Sequence, residues 1–225
     1  MTAACTVLVL WITFGATHVG LSSRALRPRG VSALGPAGFQ ALYSLVAFAT
    51  FVPLVWFYFR HKHAGPLLWQ LPLGGLGRSA VHFALYLGMG VAFVLMTAGL
   101  VTPSPAALGS RTTGVRGVHR ITRHALFMGL GLFGLLHLVP NGFASDVAFF
   151  AGFPLFALVG CWHQDRRKLA GGDPAFRAFH AETPFLPFTG PETWRGLREI
   201  PPAVVLAGIG VTWLLRWIHP WVFSR

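Results

Sequence analysis

Ten histidines are the residues of this 225-residue chain best equipped for chemistry, and their placement is unusual. His18, His82, His124, His137, His163 and His219 lie within long apolar runs or at their ends. An imidazole in hydrocarbon is costly unless it finds a hydrogen bond, a metal or water. His82, His124, His163 and His219 stand at run ends, where an amphipathic side chain reaches the headgroups. His61 and His63, flanking Lys62, read as solvated, and His119 and His180 as loop residues. His18 and His137 differ. On a helix, His18 would sit roughly 15 Å from Pro28 and His137 roughly 20 Å from His124. The two therefore share a depth near mid-membrane if their helices are neighbours. Two neutral imidazoles facing across a bundle can ligate a haem iron. The same side chains could instead bond a backbone carbonyl or each other. His124 and His137 do not share one iron, because their spacing turns a helix by about 220°.

Other reactive groups are few. Of the six acids, Asp146 reads as a turn residue, and the other five fall after Trp162. Proton pumps and cation transporters keep carboxylates inside their spans, so those classes are disfavoured. Cys5 and Cys161 fall on different apolar runs and read as small core residues, not as a metal pair or a disulfide.

The elements that must carry these side chains are membrane helices. Charged residues make up 11% of the chain, against about a quarter in a soluble domain. The expected fold is all-α: one polytopic bundle over residues 1–225, with no internal repeat. Six spans are expected, at Ala3 to Leu26, Phe39 to Phe59, Val81 to Val101, Thr122 to Val139, Ser145 to Trp162 and Ala203 to Ile218. Pro140-Asn141-Gly142 predicts a tight helical hairpin between spans four and five. The first run has no basic residue before it and no small-residue cleavage pattern after it, so it reads as a retained span, not a signal peptide.

The net charge of +12 would point to nucleic acid in a soluble protein. Here the basic residues sit in short loops, so the expected surroundings are membrane lipid and no nucleic acid. Arg24, Arg27 and Arg29, then Arg111, Arg116, Arg120 and Arg123, then Arg166, Arg167, Lys168, Arg177, Arg195 and Arg198 fall on one side. Arg60, Lys62, Arg78, Arg216 and Arg225 fall on the other. That asymmetry places both termini outside, which in a bacterial inner membrane is the periplasm. The run Arg166-Arg167-Lys168 reads as a topological anchor that could also meet haem propionates or anionic headgroups. Gly129, Gly131 and Gly134 permit close helix approach or leave room for a flat macrocycle.

Arg120-Ile121-Thr122-Arg123-His124, Leu136-His137, Asn141-Gly142, Asp165-Arg166-Arg167, Thr183 with Pro187-Phe188, and His219-Pro220-Trp221 stand in an order that resembles the NnrU family. That family includes membrane proteins linked to denitrification, and it resembles the zeta-carotene isomerases. The resemblance implies haem b, with His18 and His137 at the positions of the isomerase's histidine ligands. Gly134 stands where the isomerase has a cysteine, and Ala125 where a proline usually follows His124. The substrate or effector implied is apolar, a polyene for cis-trans isomerisation, or a small gas such as nitric oxide. Oligomeric state is left open.

The layout from Arg123 to Pro187 is also similar to the isoprenylcysteine methyltransferases, which would give S-adenosylmethionine a place near Arg123, His124, Asp165 and Arg166. That likeness is incomplete: Gln164-Asp165 replaces paired acids, and Phe127 and Phe176 replace tyrosines. A membrane accessory protein without catalysis is the remaining class.

Overall fold

A polypeptide in lipid must satisfy its backbone internally, so long apolar runs become helices. The computed structural model describes residues 2–71, 74–105 and 114–223, and Arg111 and Arg225 lie outside them. Among the described residues all regular structure is helical except one isolated antiparallel bridge, Leu67 with Phe143. The helices are α1 (Ala3–Leu21), α2 (Leu26–Arg60), α3 (Gly75–Val101), α4 (Ala125–Leu138), α5 (Ala144–Ala170), α6 (Pro174–Glu182), α7 (Thr193–Glu199) and α8 (Pro202–Phe223). A 3₁₀ turn covers Gly117–Arg120. Five of them, α1, α2, α3, α5 and α8, are long and apolar enough to cross a membrane. With 14 residues, α4 is a shorter apolar helix.

Two of these elements begin where the sequence reading did not place them. Helix α2 starts at Leu26 and carries a kink at Gly35, whose φ is 70°. Pro36 follows, and a residue before proline is pushed out of the helical region. The limb before the kink therefore forms a separate stretch that the expected span, from Phe39, omitted. The segment after Trp162 is also ordered, since α5 continues to Ala170 and α6 follows. Pro174 opens α6, and the Asp173 carboxylate accepts the Ala175 N–H at 3.0 Å.

The chain forms two compact units, Met1–Leu71 with His137–His163, and Pro72–Leu136 with Gln164–Arg225. In the first, α1 packs along α2, and Trp11 is the centre of an aromatic core. Rings of Phe14, Phe51, Phe149, Phe153 and Phe156 lie 5.1–6.3 Å from its own. Its indole N–H donates to the Phe149 carbonyl at 3.0 Å. The ring occupies the space that a side chain at Gly152 would need.

Residues 61–69 of the same unit run as a strap over 138–146. The Leu68 N–H donates to Gly142 O (2.8 Å), Ala144 N–H to Pro66 O (3.0 Å), Ser145 N–H to Ala64 O (3.1 Å), and Trp69 Nε1–H to Leu138 O (3.2 Å).

In the second unit α3 packs on α8 and on α4. A Cβ at Gly129 would lie 2.6 Å from the Ala92 carbonyl, so close helix approach fills that position. Leu95, Ala98, Val118, Ile121, Ala125, Ile200 and Val204 form the core. Glu199 ties α7 to the 3₁₀ turn by accepting from the Gly117 N–H at 2.7 Å and Arg120 Nε–H at 2.9 Å. Those donors hold its carboxyl down at about 2.

Candidate functional site

The polar centre of the second unit grows from residues that interrupt the helical pattern. Residues 121–124 fit an apolar run by composition, yet α4 starts only at Ala125. The reason is a set of partners on the chain after α6. Arg123 N–H donates to Pro184 O at 3.0 Å, Thr122 Oγ1–H to Phe185 O at 2.6 Å, and Phe188 N–H to Ile121 O at 3.2 Å. These bonds hold Thr122 to His124 in a turn that aims the Arg123 and His124 side chains inward.

Asp165, on α5, receives them. Arg123 Nε–H donates to Oδ2 at 2.8 Å, and His124 Nε2 lies 2.9 Å from Oδ1. Arg123 also donates through Nη1 to the Thr183 carbonyl at 2.6 Å and lies over the Phe185 ring at 5.2 Å. The three residues are 8%, 3% and 4% exposed. His180 Nε2 stands 3.7 Å from Oδ2 of the same carboxylate. Burial and the Arg123 charge hold the His180 imidazole below its ordinary range. Burying three charged or polar groups is tolerated here because each finds partners. Of the four residues associated by sequence with a cofactor here, Arg123, His124 and Asp165 meet, while Arg166 is exposed on α5.

His18 and His137 lie in the first unit, both against α5. The His18 ring packs between Tyr43 (4.6 Å), Phe156 (5.2 Å) and Phe14 (5.4 Å), and its Nδ1 is buried with no hydrogen-bond partner. The His137 ring stacks on Phe150 at 4.6 Å and 17°. Along α5, Phe150 and Phe156 are about 9 Å apart. Two imidazoles in one unit, each against aromatic rings and one with a buried nitrogen unbonded among the described residues, are donors of the type that haem b takes. By residue type they suit the group. Among the described residues no cluster of three or more His, Cys, Asp or Glu could hold a bare metal ion.

Three residues treated as ordinary by the sequence reading are buried or engaged. Asp146 is fully buried in the first turn of α5, not a solvated turn residue. Its Oδ1 accepts from Tyr58 OH at 3.1 Å and the His63 N–H at 3.0 Å, and Oδ2 lies 2.7 Å from His63 Nδ1. His63, read as solvated, is exposed as expected but is also held by that carboxylate, with a positive φ of 57°. His119, read as a loop residue, is 1% exposed, its Nε2 lying 3.2 Å from the Thr102 carbonyl. The one signal available for Asp146 was its type, a carboxylate adjoining an apolar run.

The 15-cis-zeta-carotene isomerase, chloroplastic, of Zea mays is 26% identical over 185 residues, which cover 81% of this chain and 49% of that protein. The protein of the same name from Arabidopsis thaliana is 28% identical over 187 residues, again 81% and 49%. The chain spans about half the length of these curated relatives. No solved structure matches it. The family described as NnrU protein matches residues 6–225, from the first turn of α1 through the end of α8. By that match, the chain belongs to the NnrU family.

Proposed function

We propose that this chain catalyses cis-trans isomerisation of an apolar polyene in the membrane, with haem b held by His18 and His137. The observation that carries the reading is the His18 imidazole, set among Phe14, Tyr43 and Phe156 with a buried nitrogen that has no hydrogen-bond partner among the described residues. The two plant relatives, both 15-cis-zeta-carotene isomerases, supply the substrate class. When bound, haem b would supply a redox-active iron able to withdraw electron density from a conjugated chain and lower its torsional barrier. The protein's own part is to present two imidazoles from separate helices, exclude water with stacked rings, and offer apolar walls to a polyene. The Lys and Arg asymmetry supports a bacterial inner membrane topology with both termini in the periplasm.

The arrangement around Asp165 gives little support to S-adenosylmethionine. A sulfonium cofactor favours acidic neighbours. Both oxygens of the Asp165 carboxylate are already engaged by Arg123 and His124.

The test is an absorption spectrum of detergent-purified protein from haem-replete cells, followed by chromatography of 15-cis-zeta-carotene incubated with the reduced protein. A Soret band lost in both His18→Ala and His137→Ala, together with a shift of the isomer ratio, is the expected result. A colourless protein removes the haem. A red protein that leaves the polyene unchanged moves the function to handling of a small gas.

A further inference from the structure

The second unit contains a cavity of about 140 Å³ that the isomerase reading does not use. Its walls come from the end of α3 (Gly99, Leu100), from His119, from Arg123 and His124, and from Gln164. Ala125, Leu126 and Phe127, the first turn of α4, close one side. Amides in a first helical turn have no partner within the helix, and they carry the positive end of its dipole. Gly99 lets α3 approach one of them without a side chain over it. A Cβ at that position would lie 2.5 Å from the Leu126 nitrogen, so any larger residue would cover it.

Further donors face the same space. Arg123 spends Nε on Asp165 and Nη1 on Thr183, and its second amino group has no hydrogen bond among the described residues. His119 has Nε2 beside the Thr102 carbonyl, which makes Nε2 the protonated nitrogen. Its Nδ1 is buried and has no partner among the described residues. That nitrogen can accept from a hydroxyl, or take up a proton and donate to an anion. The carboxylate beside the cavity, Asp165, has both oxygens engaged. Apart from Thr102, Ser104 and Gln164 the rest of the wall is apolar, and Leu100 and Val101 next to it are 66% and 60% exposed at the end of a long apolar helix. A ligand for this cavity therefore needs an anionic oxygen for Arg123 and the α4 amides, a hydroxyl for His119, and a greasy part that lies over Leu100.

We infer that the cavity binds the phosphoglycerol headgroup of an anionic phospholipid, with its acyl chains running out past Leu100 and Val101. The site involves neither His18 nor His137, so it stands or falls separately from the haem.

The experiment uses the full-length protein in detergent, titrated with phosphatidylglycerol, phosphatidylcholine or free glycerol 3-phosphate, and read by native mass spectrometry and thermal melting. Phosphatidylglycerol is expected to be retained about tenfold more than phosphatidylcholine, a difference equal to one decade in affinity. That preference should vanish in Gly99→Ala and His119→Phe. Leu100→Trp, at an exposed position where folding is not at stake, should block the mouth and lower retention as well. Equal retention of the two lipids overturns the proposal. So does an unchanged preference in Leu100→Trp together with whichever of the other variants melts like the wild type. Full displacement of lipid by glycerol 3-phosphate overturns the lipid assignment in favour of a free anion.

Discussion

His63 Nδ1 lies 2.7 Å from Asp146 Oδ2, joining the strap after α2 to the first turn of α5 across 83 positions of sequence. The same carboxylate accepts from Tyr58 OH, whose ring stacks on Phe149 at 3.8 Å. The strap is thereby fastened to the aromatic core of its unit.

Asp146→Ala leaves Tyr58 OH and the His63 N–H without their acceptor. Hydrogen bonds to a charged group contribute about 1.5–3 kcal/mol each, so a loss of about 3 kcal/mol is expected. Tyr58→Phe, which removes one of them, should cost about half as much. Thermal melts of the detergent-purified variants check this, and equal melting temperatures for Asp146→Ala and the wild type would show that the latch contributes nothing.

Asp165→Ala should be the most damaging change in the second unit. It strands Arg123, 8% exposed, without its anion. Removing one partner of a buried ion pair typically costs about 3–5 kcal/mol. Arg123→Met combined with Asp165→Leu removes both charges and should recover much of that loss. The comparison is read from the melting of these two variants beside the wild type.

Much of this arrangement was legible beforehand, and the failures share one cause. Apolar length alone marked the stretches that became the long helices, and the motif around Arg123, His124 and Asp165 was visible as a resemblance. The late start of α4 was hidden, because Thr122 to His124 leave the helix for the Pro184 and Phe185 carbonyls, some sixty residues away. Asp146 and His63 were hidden for the same reason: each looks like a turn or surface residue until the strap brings them together. Residue type and local spacing carry no information about such distant partners.

Acid should weaken the second unit through His119. Burial lowers its pKa from the ordinary 6.5, so the folded protein holds this imidazole neutral while the unfolded chain takes up a proton. The unfolded state then binds more protons, and stability falls as pH drops below about 6.5. His119→Phe keeps the ring against Phe179 and should flatten that slope between pH 7 and 5. Melting temperature against pH for the two proteins is the measurement.

Gly152→Ala places a methyl group where the Trp11 indole lies. Overpacking of this kind costs about 1–3 kcal/mol, and the displaced ring would also lose its bond to the Phe149 carbonyl. Tryptophan fluorescence and melting temperature should change together. A variant with both unchanged would mean that the core yields more easily than its packing implies.

Helix α4 falls short of a full membrane span. Fourteen residues rise about 21 Å, against roughly 30 Å of hydrocarbon. Arg123 and His124 precede it, and Asn141, whose amide donates to the His137 carbonyl at 2.8 Å, follows it. A helix of that length could bridge the hydrocarbon only by thinning the bilayer. The protein should then work best in membranes of short or unsaturated lipids, and slow down as the acyl chains are lengthened in reconstituted vesicles.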